Sequence, residues 1–180
     1  MGIGSAILGY AHPELVKSVS DVIKDGVNCT LNAPEEVLLA EKLLDLNPFA
    51  GGVRFAKSGG EAMAIAVRIA RAKTGKDKVL FSGYHGWSDW YLATNLSNKD
   101  GLDDHLIPGL SPRGVPSGLA NTAIPFTYND IENFEKIVNA NLDAGVICLE
   151  GARYDFPSQE FLESVSRLAN KHNMVVISDE

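Results

Sequence analysis

The sequence predicts an α/β domain in which a mainly parallel sheet is flanked by helices. Short apolar runs alternate with longer segments of helical periodicity over most of the chain. Two of these runs, Val79-Leu80-Phe81-Ser82 and Val146-Ile147-Cys148-Leu149, are almost continuously apolar, as parallel strands covered on both faces are. The 180 residues, 45% hydrophobic and 22% charged, suffice for one domain with a sizeable core.

Two helices are predicted in the first part of the chain. Pro13 stands at the start of the first helix, apolar residues follow at helical spacing, and Gly26 closes it. The second helix runs from Pro34 to about Leu46 and has one apolar face. A short extended segment, Val53-Arg54-Phe55-Ala56, separates these helices from the next one.

The centre of the chain reads as a turn, a long helix and a strand. The extended segment breaks at Ser58-Gly59-Gly60, and Glu61 opens a helix that runs to about Lys73 and stops at Gly75. The first apolar run then forms a strand. It leads into a turn rich in aromatic residues, Gly83-Tyr84-His85-Gly86-Trp87.

The second half begins with a long loop from Gly101 to Pro125. A loop of this length is either functional, such as a lid or an interface arm, or poorly ordered. Asp130 then caps a helix that ends at about Asn141, and the second apolar run is the next strand. A helix over Ser158–His172 leads into a last strand, which halts at Asp179-Glu180.

Four groups of polar or aromatic residues fall at the ends of predicted strands. They are the Ser58-Gly59-Gly60 turn, Tyr84-His85, Glu150 and Asp179. In open α/β sheets, ligands collect at the carboxyl ends of the strands. This coincidence is the strongest internal argument for a binding site.

Each of these groups has a functional and a structural interpretation. The glycines at a helix start could receive a phosphate, or the turn could simply cap the helix with Glu61 in its first turn. Tyr84 could stack on a planar cofactor, or it could close an aromatic core in which His85 is hydrogen-bonded. Asp179 could pair with a protonated pyridine nitrogen or be a solvated acid, and Glu150 has the same two interpretations.

Composition excludes several classes of partner. The net charge is -7 and no basic stripe is present, so nucleic-acid binding is not expected. We expect neither a signal peptide nor a membrane span. Cys29 and Cys148 have neither disulfide nor metal-ligand spacing, which predicts a reducing cytoplasm and no metal site. Arg153 could receive a substrate carboxylate or pair with Asp155, and we predict the pair.

Five segments of the chain, taken in order, carry the pattern of a known family. They are Leu8-Gly9-Tyr10-Ala11-His12-Pro13, Arg54-Phe55-Ala56-Lys57-Ser58-Gly59-Gly60-Glu61-Ala62, Ala66-Val67-Arg68-Ile69-Ala70-Arg71, Gly83-Tyr84-His85-Gly86 and Val175-Val176-Ile177-Ser178-Asp179-Glu180. Together they resemble the class III aminotransferases, the family that includes glutamate-1-semialdehyde aminomutase. The similarity covers nearly all of the chain in register.

The resemblance implies a fold-type-I architecture, a homodimer with active sites at the subunit interface, and pyridoxal 5′-phosphate (PLP) as the cofactor. Ser58-Gly59-Gly60 would lie on the phosphate, Tyr84 on the pyridine ring, and Asp179 against the ring nitrogen. His85 would shape the pocket, and Glu150 is counted with the cofactor-binding residues. In the family, an amino group passes from a small-molecule donor through the cofactor to a carbonyl acceptor.

The resemblance also divides the chain. Residues 1–50 are assigned to an N-terminal helical segment with the dimer interface, and residues 51–180 to part of the PLP-binding major domain. The family's catalytic lysine, which forms a Schiff base with the cofactor, lies downstream of the Asp-Glu pair. None of the lysines near the site segments matches it: Lys57, Lys73, Lys76 and Lys78. We therefore expect a fragment that is inactive by itself.

Two positions depart from the family pattern, and two other functions stay open. Gly60 replaces the usual Ser or Thr, and Gly151 follows Glu150 where the family has proline. One alternative is a non-catalytic module that keeps the dimer surface and binds a partner subunit. The other is a small phosphate- or nucleotide-binding domain, which a helix start at Glu61 would permit. The substrate stays open, as does the choice between transfer and internal 2,1 migration.

Overall fold

The structure, a computed structural model, describes residues 4–28, 30–105, 108–152 and 155–180. The chain forms two compact units, Met1–Arg54 and Phe55–Glu180. This division falls close to the boundary predicted after residue 50, while the interface role of the first region stays a prediction. Cys29 and Arg153, together with the predicted ion pair of Arg153, lie outside the described residues.

The first unit contains two helices that begin where they were predicted. α1 spans Pro13–Val22 and continues as a 3₁₀ turn over Ile23–Asp25, and α2 spans Pro34–Leu46. Each helix has a proline in its first turn, where a missing N–H is harmless because no intrahelical acceptor exists there. Apolar residues of α1 stay about half exposed, with Val19 at 51%.

The second unit is a layered α/β structure whose elements largely follow the predicted order. Its helices are α3 (Gly59–Thr74), α4 (Asp89–Leu92), α5 (Thr94–Ser97), α6 (Ile131–Ala140) and α7 (Gln159–His172), and its strands are β1 (Lys78–Ser82), β2 (Ala123–Pro125), β3 (Ala144–Glu150) and β4 (Val175–Asp179). A 3₁₀ turn covers Ser117–Leu119. Across the described ranges, no helix combines the length and the hydropathy that a bilayer crossing requires.

All strand pairs are parallel, and the spatial order of the sheet is β2-β1-β3-β4. This confirms the predicted α/β class. From β1 the chain moves to β2 on one side, whereas β3 lies on the other side of β1. The strand order therefore reverses between β1 and β3, and open parallel sheets bind ligands beyond the carboxyl ends at such a reversal.

Helices cover both faces of the sheet. On one face Val67 of α3 packs in a buried cluster with Phe81 and Cys148. On the other face α6 and α7 bury Leu80 and Ile147. Burying each large apolar side chain contributes about 1.5–3 kcal/mol, so the layers are firmly fixed. Because α3 ends just before β1 begins, its first turn lies at the carboxyl edge of the sheet.

The predicted loop from Gly101 to Pro125 is wrong at its end, where Ala123–Pro125 form β2. This strand has only three residues and ends on a proline, which has no N–H to donate. Proline is tolerated there because β2 lies at the edge of the described sheet. The short helices α4 and α5 were also missed, and the extended segment at 53–56 pairs with no strand in the described part.

Candidate cofactor site

The first turn of α3 is capped in both directions. The helix begins at Gly59 rather than at the predicted Glu61, because Ser58 is its N-cap and accepts a hydrogen bond from the Glu61 N–H at 3.4 Å. The Glu61 carboxylate accepts in turn from the N–H of Lys57 at 2.8 Å. The structural interpretation of Ser58 and Glu61 is therefore realised, and it fixes where the helix starts.

Gly59 and Gly60 leave the start of this helix open. Neither backbone N–H has a hydrogen-bond acceptor within the described part of the chain. A Cβ built on Gly59 would meet no atom of the described residues within 4 Å. The N–H groups of a first helical turn attract anions together with the helix dipole. These donors and the open space at Gly59 fit a phosphate group.

Gly86 brings the turn after β1 against this helix start. It has φ +91°, and a Cβ there would stand 2.5 Å from the Cα of Gly60. Glycine adopts this backbone conformation without strain and permits the close approach. The contact places Tyr84-His85-Gly86 beside the first turn of α3.

His85 connects the same turn to Asp179 at the end of β4. The His85 side chain is buried, with Nδ1 2.9 Å from Oδ2 of Asp179 and Nε2 3.1 Å from the carbonyl oxygen of Ser82. A carbonyl oxygen only accepts, so Nε2 donates its hydrogen to Ser82. A continuous chain of hydrogen bonds thus runs from the backbone of β1 through His85 to the carboxyl group of Asp179.

Asp179 keeps one oxygen available to a ligand. Oδ2 faces His85, whereas Oδ1 has no hydrogen-bond partner among the residues that the structure describes, and the side chain is 29% exposed. A partly buried carboxylate is stabilised by a further donor or cation. The protonated ring nitrogen of a planar cofactor is both, so the available oxygen fits such a ring.

Glu150 is the neighbour of Asp179 in the sheet, and its side chain packs against Gly83, the first residue of the turn after β1. The two residues are paired across β3 and β4. A Cβ on Gly83, which has φ +109°, would come within 2.6 Å of Oε2 of Glu150. Burial raises the pKa of the Cys148 thiol, and the charges of Asp179 and Glu150 raise it further. The structure therefore brings both predicted carboxylates to one edge of the sheet.

Tyr84 is the half-buried member of an aromatic group behind the site. Its ring meets Tyr91 edge-on at a centroid distance of 5.8 Å. His85 stacks on Trp90 with centroids 6.1 Å apart and ring planes 25° from parallel. The predicted aromatic cluster is present, and it leaves part of the Tyr84 side chain accessible.

Three residues around the turn escaped sequence reasoning. Ser82 contributes only its backbone carbonyl, which no sequence pattern marks. Tyr91 lies in α4, which is too short for a periodicity signal. Gly86 offered a signal, since a glycine beside aromatic residues indicates a close backbone approach, but the sequence did not say to what.

The open helix start and Asp179 lie on the same side of the sheet. The buried cluster beneath α3 includes Cys148, and Ile177 packs against it. Side chains alternate along a strand, so Asp179, two positions after Ile177, is on that face as well. A single ligand spanning the helix start and this carboxylate requires this placement.

The parallel sheet, the open helix start and the carboxylate beyond the strands define the class of protein, an α/β domain of the PLP-dependent transferase type. Residues 1–180 match the family described as aminotransferase class III, and the chain belongs to that family. This confirms the resemblance seen in the sequence. Enzymes of this family use PLP.

Relatives and a solved structure agree with this assignment. The chain is 35% identical over 185 positions to a glutamate-1-semialdehyde 2,1-aminomutase of Sulfurisphaera tokodaii, covering 100% of this chain and 43% of that protein. It is 32% identical to a 3-aminobutyryl-CoA aminotransferase of Cloacimonas acidaminovorans, covering 98% and 41%. A solved transaminase with PLP bound superposes with a TM-score of 0.81 at 28% identity, covering 94% and 40%. The chain thus spans about two fifths of the length of these proteins.

Proposed function

We propose that this chain supplies the cofactor-holding part of a site for PLP-dependent amino-group transfer. One observation carries the proposal. The adjacent residues His85 and Gly86 join its two ends, because Gly86 lies on Gly60 at the helix start while His85 is hydrogen-bonded to Asp179. The start of α3, which would bind the phosphate, and Asp179, which would pair with the ring nitrogen, are therefore linked by one short turn.

Each end of the site has a defined task. The N–H groups of Gly59 and Gly60 bind and orient the phosphate at the start of α3. Tyr84 lies against the ring and shields that side of it from water. Asp179 holds a proton on the ring nitrogen through Oδ1, and His85 fixes the carboxyl group through Oδ2. When bound, the cofactor supplies the electron sink that amino-group chemistry requires.

Two of the lysines near the site segments, Lys76 and Lys78, are engaged away from the proposed site. Nζ of Lys76 donates to carbonyl oxygens that include that of Ala144, at the beginning of β3. Nζ of Lys78 binds Asp143 at 2.9 Å. Both lysines are therefore engaged at the amino edge, opposite the proposed site. We propose that the catalytic lysine is not among them, and that the substrates are a small amino donor and a carbonyl acceptor.

Binding of pyridoxamine 5′-phosphate (PMP) to the 180-residue chain tests this proposal. PMP has no aldehyde, so it does not react with surface lysines. Asp179→Asn removes the charge facing the ring nitrogen and should raise the dissociation constant roughly tenfold or more in a fluorescence titration. Asp143→Asn is the matched control, because that carboxylate pairs with Lys78 at the other edge of the sheet. It should bind PMP like the wild type.

The same protein tests the proposed absence of the catalytic lysine and the nucleotide-binding alternative. We expect no transamination by this chain alone, and an adenosine nucleotide should not displace PMP. Robust turnover would refute the proposed absence of the lysine. If nucleotide displaces PMP, or if Asp179→Asn and Asp143→Asn bind PMP equally, the cofactor proposal is wrong.

A further inference from the structure

Gly83, the first residue after β1, is held by side chains on both of its peptide groups. Its N–H donates to Nδ1 of His105 at 3.2 Å. Its carbonyl oxygen accepts from Oη of Tyr91 at 2.9 Å. The two peptide groups that flank the Cα of Gly83 are thus both fixed, and with them the direction in which the chain enters Tyr84.

The position requires such restraint because its backbone conformation strongly favours glycine. Gly83 has φ +109°, and a Cβ there would come within 2.6 Å of Oε2 and 2.7 Å of Cδ of Glu150. Glycine is the residue with the least intrinsic restraint on φ and ψ. The orientation of Tyr84 and His85 must therefore be fixed by groups outside the turn.

Tyr91 acts on the turn in two ways. It is fully buried, and besides its hydrogen bond to Gly83 its ring packs edge-on against Tyr84 at 5.8 Å and against His85 at 6.1 Å. A change at Tyr91 therefore reaches both residues that face the cofactor.

His105 reaches the turn from the long segment that precedes β2. Its ring lies 5.4 Å from that of Phe81, in the last part of β1. To accept the Gly83 N–H, Nδ1 must be unprotonated. The segment predicted to be a long loop thus makes a defined polar contact with the first residue of the turn.

We propose that Tyr91 and His105 are positioning residues for the cofactor ring. Their two hydrogen bonds to Gly83, which we call the clamp, fix the orientation of Tyr84 and His85. Phosphate binding by the N–H groups of Gly59 and Gly60 does not depend on them. The inference rests on the proposed function, since it takes Tyr84 and Asp179 as the ring contacts.

This role predicts that a change at either residue weakens binding of the cofactor ring but not binding of phosphate. Tyr91→Phe removes a single hydroxyl and should raise the dissociation constant of PMP roughly tenfold. The affinity for inorganic phosphate, followed by NMR at the Gly59 and Gly60 amides, should not change. The circular dichroism of PMP, measured per bound molecule, should also change because the ring is differently oriented.

A matched control removes a similar hydrogen bond far from the turn. Thr122→Val deletes the hydroxyl that donates to the Leu119 carbonyl at 2.7 Å, at the amino end of β2. A purely stabilising role for Tyr91 predicts equal behaviour of Tyr91→Phe and Thr122→Val toward PMP. That result would overturn the proposal.

Two substitutions at His105 provide an independent check. His105→Asn keeps an acceptor near the position of Nδ1, and His105→Leu has none. The Leu variant should weaken PMP and speed hydrogen exchange of the Gly83 amide, and the Asn variant should restore both in part. Equal PMP affinity and equal exchange in both variants and the wild type would reject the clamp.

The clamp remains testable if wild-type protein fails to bind PMP, which is the failure of the proposed function itself. In that case the NMR chemical shifts of Tyr84 and His85, compared between the variants and the wild type, test the clamp. Movement of these shifts in Tyr91→Phe and His105→Leu, but not in Thr122→Val, supports the clamp. Unchanged shifts reject it.

Discussion

Gly60 is the second residue of α3 and lies where the family usually carries a hydroxyl. A Cβ built on Gly60 would stand 3.6 Å from the Cα of Gly86, an ordinary contact distance. The site therefore has room for a side chain at Gly60. The sequence showed the missing hydroxyl, and the structure shows that no clash accounts for it.

Gly60→Ser should tighten the binding of both PMP and inorganic phosphate about three- to tenfold, because a hydroxyl adds one donor at the helix start. Calorimetric titration of the 180-residue chain measures both affinities. Gly60→Ala is the control, since it adds the same Cβ without a donor. Equal affinities of the Ser and Ala variants would show that the hydroxyl does not reach the phosphate.

At the scale of elements, the contact between the turn after β1 and α3 depends on Gly86, because a Cβ there would stand 2.5 Å from the Cα of Gly60. Gly86 has φ +91°, and Gly114 has the same φ, but a Cβ built on Gly114 would have no neighbour within 4 Å in the part of the chain that the structure describes. A comparison of substitutions at Gly86 and Gly114 therefore separates the cost of backbone strain from the cost of steric overlap. A single glycine substitution cannot do this.

Gly114→Ala should lower the free energy of unfolding by about 1–3 kcal/mol from backbone strain alone. Gly86→Ala should lower it by about 1–3 kcal/mol more, because its Cβ overlaps Gly60 and forces the turn away from the helix. Urea unfolding measures both variants. Equal losses would mean that the contact between Gly60 and Gly86 contributes little to stability.

The elements that were predicted carry start or stop signals in their own sequence, and the strand that was missed does not. α1 and α2 were predicted because a proline marks each start. α3 was placed by the glycines and by the stop at Gly75, which has a left-handed backbone conformation. β2 was missed because its three residues form a strand only by pairing with β1. Its existence is a tertiary effect.

At the scale of the whole molecule, the fully buried Cys148 in β3 links stability to pH. Burial, followed by the charges of Asp179 and Glu150, raises the pKa of the thiol above its ordinary value of 9.0. The folded protein therefore keeps the thiol protonated at a pH where the unfolded chain ionises. The resulting stabilisation is complete below about pH 9 and is lost as the pH rises above it.

The free energy of unfolding should fall by about 1.4 kcal/mol for each pH unit above 9 through this thiol. Denaturant unfolding under reducing conditions, at about pH 8 and about pH 10, measures the change. Cys148→Ala is the reference, because it lacks this thiol and keeps every other titrating group. A pH dependence as steep in Cys148→Ala as in the wild type would contradict the assignment.

The sequence by itself determined the α/β class, most helix boundaries and the family. These follow from periodicity, caps and short motifs, which act over a few residues of chain. It also predicted that Tyr84-His85, Glu150 and Asp179 follow strands, and these strands share one carboxyl edge because they are parallel. The prediction that Ser58-Gly59-Gly60 follows a strand was wrong, because these residues follow an extended segment that pairs with no strand in the described part of the chain.

Only the tertiary structure decided which of these groups touch. His85 and Asp179 are 94 positions apart in the chain, and their hydrogen bond exists because β4 pairs with β3 and Asp179 lies on the sheet face that α3 covers. Gly60 and Gly86 meet because Gly86 has no side chain, and a missing side chain does not specify a partner. Contacts between distant segments depend on the packing of the layers, which no local pattern in the sequence encodes.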